Sequence, residues 1–526
     1  MKKYLIFSLL ISVISINAQD TRIPLDTTVI TNNEVVINGK KITYQATTGM
    51  QPVWDDHGNM IASLYYTYYK RTNLNNNLKK QDDYSKRPII MSFNGGPGSA
   101  SVWMHIAYTG PKVLQIDDEG YPIQPYGVKD NPNSILDVAD IVYVNPVNTG
   151  YSRPIVKKGE KLDKSLFFGI NADIKYLAGW LNTFITRNNR WQSPKYIIGE
   201  SYGGTRVMGL AAELQNKQWM YLNGVIMVSP ADYKVLRTGS ALSSSLNLPY
   251  YTAAAWYHKM LPEELQNKDL LEILPLSEEY AINKLIPAMA KGGFISETER
   301  NKVAERMSYF SGINKNVILQ HNLDLPKNYF WKELLRNKNG FTIGRLDSRY
   351  RGIDKRIAGE SPDYNSEITS WLHSFTPAIN YYIREHLKFK TDVTYNVFGP
   401  VGRWDNRNDN VREGLRQAMA QNPYLKVLIQ SGYYDGATTY FNAKYTMWQT
   451  DPSGKMRDRF FFKGYRSGHM MYLRSEDLKK SNDDLRDFIN KSSTKVSPLN
   501  INRLGNKCIL NILLFFIFYL FLLFQY

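Results

Sequence analysis

Short apolar runs, each closed by a polar or glycine-rich turn, recur at residues 88–93, 140–144, 196–198, 225–228, 427–429 and 459–462. Runs of this length with few charges suit strands buried on both faces. Between them lie longer stretches with helical spacing, such as Ile174, Leu177, Trp180, Leu181 and Phe184, whose three- and four-residue steps share one helix face. Strands alternating with helices predict a mostly parallel central sheet with helices on both faces. Earlier, β-prone runs at 43–48 and 60–69 flank Asp55-Asp56-His57-Gly58-Asn59, which reads as a hairpin expected at a sheet edge. From 233 to 370 strand runs disappear, and 261–276 and 297–310 read as helices. This stretch is expected to be a helical cap inserted over the sheet. Residues 476–489 read as a closing amphipathic helix.

Composition fits one large domain with an insertion: 526 residues, 43% hydrophobic and 21% charged. The expected division is 19–232 for the first part of the core, 233–370 for the cap and 371–495 for the second part. Lys2 and Lys3, the apolar run at 4–16 and Ala18 follow the order of a secretory signal peptide at 1–18, with a retained anchor as the alternative. Export to a periplasmic or extracellular location is the expectation. The single cysteine, Cys508, rules out an intrachain disulfide and a cysteine nucleophile. The net charge of +17 is spread along the chain and mixed with acids, so no nucleic acid partner is expected. A positive surface facing an anionic envelope is the simpler reading. The apolar tail at 508–525 has three readings: a membrane anchor, a tail removed after export, or translated sequence foreign to the natural protein.

The sharpest local motif is Gly199-Glu200-Ser201-Tyr202-Gly203, between the strand at 196–198 and a helix-like stretch at 205–215. That is G-x-S-x-G in strand, turn and helix context, the nucleophile elbow of an α/β-hydrolase fold. A serine nucleophile needs a histidine to take its proton and an acid to hold that histidine, and in this fold the chain order is serine, acid, histidine. Asp435 lies in a turn beyond the strand at 427–429, and His469 in a turn beyond the strand at 459–462. Of seven histidines, His469 alone follows Asp435. The oxyanion needs backbone donors: the N–H of Tyr202, next after the nucleophile, and one from the turn Asn94-Gly95-Gly96-Pro97-Gly98.

Together these pieces resemble the serine carboxypeptidase family. The resemblance rests on Asn94-Gly95-Gly96-Pro97-Gly98, Gly110-Pro111, Pro146 with Thr149-Gly150-Tyr151-Ser152, Gly199-Glu200-Ser201-Tyr202-Gly203-Gly204, Asp435 and Gly468-His469-Met470. The run Gly344-Arg345-Leu346-Asp347-Ser348-Arg349-Tyr350 looks like bacterial members in particular. The resemblance implies release of C-terminal residues from peptide substrates through an acyl-enzyme, with no metal or cofactor. It assigns the oxyanion donors to Gly96 and Tyr202, and the substrate carboxylate to Asn94 and a protonated Glu200. Tyr108 stands where the family carries a second carboxyl, Ser99 where a cysteine is common, and Asn145 and Asn148 replace the usual residues around Pro146. With one carboxyl, acid preference should be weaker, and Glu200→Gln should flatten the low-pH side. An esterase, an acyltransferase, or a binding protein that keeps the fold without catalysis are the alternatives.

Overall fold

The computed structural model describes residues 23–72, 87–156, 159–231, 241–407 and 410–493. The leader expected at 1–18, the junction expected at 232/233 and the tail at 508–525 lie outside the described residues.

Among the described residues ten strands build the central sheet, nine of them on its main path: β1 Thr27–Ile37, β2 Lys40–Trp54, β3 Met60–Arg71, β4 Ile89–Phe93, β5 Asp140–Val144, β6 Lys195–Glu200, β7 Gly224–Val228, β8 Lys426–Gly432 and β9 Phe460–Tyr465. Their spatial order is β1-β2-β3-β5-β4-β6-β7-β8-β9, with the short pair Arg153–Pro154 beside β3. The pairings among β1, β2, β3 and β5 are antiparallel. All pairings from β5 to β9 are parallel.

Alternation along each inner strand divides the interior in two. On β4, Met91 and Phe93 face one layer and Ile90 the other. The first layer joins Ile197, Val225 and Met227 to helices α1 Ile170–Arg187 and α2 Tyr202–Lys217. The second joins Ile198, Ile226 and Leu428 to α3 Ser366–Tyr381 and α4 Ser475–Ser493. The α1 face read from spacing is the buried one, with Ile174, Leu177, Trp180, Leu181 and Phe184 all inside. Each such large apolar side chain stabilises the fold by about 1.5–3 kcal/mol relative to exposure. A parallel sheet covered on both faces in this way is the α/β-hydrolase fold.

Three expectations are corrected. The hairpin of β2 and β3 is not outermost, because β1 pairs with β2 along its whole length and takes the edge. Its burial alternates with one side in solvent, and its polar composition hid it. The single helix expected over 261–276 is two, Glu263–Gln266 and Leu270–Tyr280, restarted by Asp269, whose side chain accepts from the Leu271 N–H. Within the insertion a small ladder does form, Thr342–Ile343 against Arg351–Gly352.

Insertion helices between Leu248 and Glu333 share a third core, which includes Tyr251, Ile273, Phe310 and Phe330 and reaches Tyr434 and Phe441 beyond β8. The division expected at 370/371 falls inside the continuous helix α3. Among the described residues no helix is long and apolar enough to cross a membrane.

Candidate active site

The candidate residues lie at the C-terminal ends of the parallel strands β4, β6, β8 and β9: Glu200 is the last residue of β6, and the others are on the turns that follow these strands or at the start of the next helix. Ser201 follows β6 and caps α2 with φ 59° and ψ −122°, a left-handed conformation that costs a non-glycine residue of order 1–3 kcal/mol. The surroundings hold it there. The Ser201 N–H donates to the Val228 carbonyl at 2.9 Å, and the Ser201 carbonyl accepts from Gly204 at 2.9 Å and Ala231 at 3.0 Å. Gly203 and Gly204 leave no room for a side chain, since a Cβ there would lie 2.9 Å from the Phe93 carbonyl oxygen and 2.6 Å from Pro230 Cβ.

Asp435 is fully buried beyond β8 and accepts four hydrogen bonds. Its Oδ1 takes the N–H groups of Ala437 (2.8 Å) and Thr438 (3.0 Å), and its Oδ2 takes the Thr438 hydroxyl (2.7 Å) and His469 Nδ1–H (2.7 Å). This fixes the histidine tautomer, with the proton on Nδ1 and the lone pair on Nε2. Burial works to lower the imidazole pKa, but the charge of Asp435 and its hydrogen bond outweigh burial, and the net direction is upward. The acid and histidine predicted from chain order are therefore in contact. Ser201 Oγ, in contrast, has no hydrogen bond to His469 among the described residues.

The glycine-rich turn after β4 lies directly against the elbow. A Cβ on Gly95 would sit 2.6 Å from both the Glu200 carbonyl oxygen and the Tyr202 nitrogen. Gly96 has φ +104°, a conformation L side chains rarely adopt. The buried ion pair of Arg206 with Asp173 (2.7 Å) locks turn to helix. Arg206 Nη1 donates to the Asn94 carbonyl and Nη2 to that of Pro97 at 3.4 Å, while the guanidinium lies over the Tyr202 ring at 5.1 Å. Gly95→Ala should thus push the turn off the Tyr202 N–H. The expected result is a fall in kcat of about 10²–10³, the scale of one lost oxyanion donor, with a lower Tm; steady-state kinetics and a thermal melt check both.

Asn94 and Glu200 meet at the same place. Asn94 Nδ2 donates to Glu200 Oε2 at 3.0 Å, and the Tyr472 hydroxyl donates to the same oxygen at 2.5 Å. Because both protein donors occupy Oε2, a proton on this carboxyl belongs on Oε1. Burial pushes Glu200 up to about 7, against the charge of His469 and the two hydrogen bonds, which pull it down. Tyr108 does not face Glu200. Its hydroxyl donates to Gln430 Oε1 at 2.7 Å, and its ring stacks on Tyr472 at 4.8 Å. Tyr472, Thr438 and Arg206 escaped the sequence reading. Tyr472 sits three residues after His469, which was the one available signal. No group of three His, Cys, Asp or Glu able to hold a metal ion occurs among the described residues.

The insertion is fastened to the acid. A Cβ on Gly436 would meet the Tyr250 hydroxyl and, at 2.7 Å, Trp331 Nε1. Trp331 Nε1 donates to the Tyr250 hydroxyl at 2.8 Å, which in turn pairs with Ser348 Oγ at 2.5 Å.

Comparison with known proteins adds to this geometry. The sequence model of the serine carboxypeptidase family matches residues 41–458. The chain is 26% identical over 158 residues to serine carboxypeptidase S10 family member 1 of Dictyostelium discoideum, covering 30% of this chain and 32% of that protein. It is 27% identical over 229 residues to the human retinoid-inducible serine carboxypeptidase, covering 42% and 43%. It is 30% identical over 146 residues to serine carboxypeptidase-like 20 of Arabidopsis thaliana, covering 26% of each chain. The matched stretch spans less than half the length of each of these relatives. With the family model running from the second sheet strand to the start of the last, the chain belongs to the serine carboxypeptidase family.

Proposed function

We propose that this protein is a serine-type carboxypeptidase that releases C-terminal residues from peptides through an acyl-enzyme. Ser201 attacks the scissile carbonyl, His469 takes its proton at Nε2, and Asp435 holds the imidazole and stabilises the imidazolium. The N–H groups of Gly96 and Tyr202 receive the oxyanion. His469 then gives its proton to the leaving amine, and water repeats the sequence on the ester. The observation that favours a carboxypeptidase over an esterase or acyltransferase is Glu200. A buried carboxyl pushed up to about 7 beside the nucleophile is suited to donate from Oε1 to a substrate carboxylate, with Asn94 alongside.

The test is a panel of blocked dipeptides, the same peptides amidated at the C-terminus, and simple esters. Amidation should lower kcat/KM at least tenfold; equal cleavage of acid and amide would remove the C-terminal recognition. The export of the protein and an envelope or extracellular site of action belong to this proposal, as does the start of the cap at 233.

The same residue sets the pH dependence. Below about pH 7 Glu200 is neutral and accommodates a carboxylate; above it, two negative charges face each other. The kcat/KM for free-acid peptides should therefore fall as pH rises through about 7, approaching tenfold per unit, while ester hydrolysis should not show that fall. Glu200→Gln, neutral at every pH, should flatten the alkaline limb rather than the acidic one expected from sequence. An alkaline limb unchanged by the substitution would exclude Glu200 from carboxylate binding.

A further inference from the structure

The run from Gly344 to Tyr350 takes no part in the chemistry above, yet it wraps the back of the triad. The Arg345 carbonyl accepts from the Gly436 N–H at 3.0 Å, and the Leu346 carbonyl accepts from the His469 N–H at 2.6 Å. Asp347 Oδ2 accepts from the Gly468 N–H at 3.2 Å and is held by Arg349 Nη2 at 2.7 Å. Leu346 is tied in turn to α3, its N–H donating to Glu367 Oε1 at 2.8 Å. The backbone of this segment is thus scaffolding for Asp435 and His469.

Six of its seven residues are buried, and the seventh, Arg345, is exposed to solvent. Among the described residues the Arg345 guanidinium has no hydrogen bond and no ion pair. It is near enough for its charge to act on His469, Lys327 and Glu367. Lys327 reaches the same place from the insertion, as the first residue of the helix Lys327–Glu333. Its Nζ donates to the Ala437 carbonyl at 2.9 Å, two residues past Asp435.

None of the nearby acids forms an ion pair with Arg345 among the described residues. Asp435 accepts four hydrogen bonds, while Glu367 accepts the Leu346 N–H on Oε1, leaves its buried Oε2 without a hydrogen-bond partner and forms no ion pair with Arg345 among the described residues. Glu200 is neutral below about 7. The charge of this guanidinium reaches His469 and works against the imidazolium that catalysis requires. An anion brought by the substrate would offset that penalty and accept charge-assisted hydrogen bonds from the guanidinium.

We infer that Arg345, seconded by Lys327, is a specificity determinant that selects peptides with an acidic side chain on a residue flanking the scissile bond. The inference rests on the carboxypeptidase reading. It differs from binding of the terminal carboxylate, which every substrate carries.

The experiment measures kcat/KM for blocked dipeptides with Glu, Gln or Lys at the last or the penultimate position. The enzymes are wild type, Arg345→Gln, Arg345→Glu and Lys327→Gln, each checked by a thermal melt. Wild type should favour Glu over Gln at one position by about tenfold or more, the scale of a charge-assisted hydrogen bond. Arg345→Gln should bring that ratio near one, Arg345→Glu should turn the preference to Lys, and Lys327→Gln should lower the ratio severalfold. A wild-type ratio near one at both positions overturns the inference, as does a ratio that survives Arg345→Gln. If Arg345→Gln instead erases the difference between free-acid and amidated peptides, Arg345 binds the terminal carboxylate and the inference is wrong. These failures leave peptide cleavage intact. Failure of the carboxypeptidase reading appears differently, as no peptide cleavage with esters still turned over, and it takes this inference with it.

Discussion

Ser201→Ala should lower kcat by about 10⁶, the scale on which loss of a serine nucleophile acts. The protein should keep its Tm, because alanine can sit at the same strained φ of 59° and lacks only an oxygen that has no hydrogen bond to His469 among the described residues. A serine-directed phosphonate should label the wild type and leave the variant unlabelled. Turnover within a hundredfold of wild type would dispose of Ser201 as nucleophile. Absence of labelling in folded wild type would instead favour the non-catalytic alternative.

The second large effect concerns Asp435. An asparagine there presents an amide where a carboxylate now accepts four hydrogen bonds, one of them from His469 Nδ1. Its NH₂ group favours the opposite tautomer, with the proton on Nε2 facing the serine, and a fall in kcat of about 10⁴ is expected. A pH shift should accompany it. Asp435 is what raises His469 against burial, and the imidazole must be neutral to accept the Ser201 proton. The acid limb of kcat/KM should therefore move to lower pH in Asp435→Asn. An unmoved limb would assign it to a group other than His469.

The legible parts of the molecule were those in which one residue's neighbours in sequence are also its neighbours in space. β5 and β7 could be read from continuous apolar runs because parallel inner strands are buried on both faces. The elbow could be read because its glycines and its serine lie within five residues. Asp435 and His469 needed chain order and elimination, and the structure brings them to 2.7 Å. Tyr472 was invisible for the opposite reason. Its partner Glu200 lies 272 residues away, and a tyrosine leaves no periodic trace of a single long-range hydrogen bond. The Arg206 to Asp173 pair is hidden likewise, inside two helices whose patterns announce only their apolar faces. β1 was missed because a one-sided edge strand rich in Thr and Asn, TTVITNNEVVI, carries little apolar signal.

The seam where Gly436 meets Tyr250 and Trp331 limits how this protein could be re-engineered or could have diversified. In a scaffold whose recognition element merely rested on the catalytic one, the two could be exchanged between relatives as separate modules. Here the acid-bearing turn has no space for a Cβ against the inserted helices, and Tyr250 and Trp331 share a hydrogen-bond chain with Ser348. A chimaera that replaces residues 241–338 keeps the Asp435 turn in place only if it retains that aromatic pair, so the inserted helices and the acid-bearing turn are inherited as one unit.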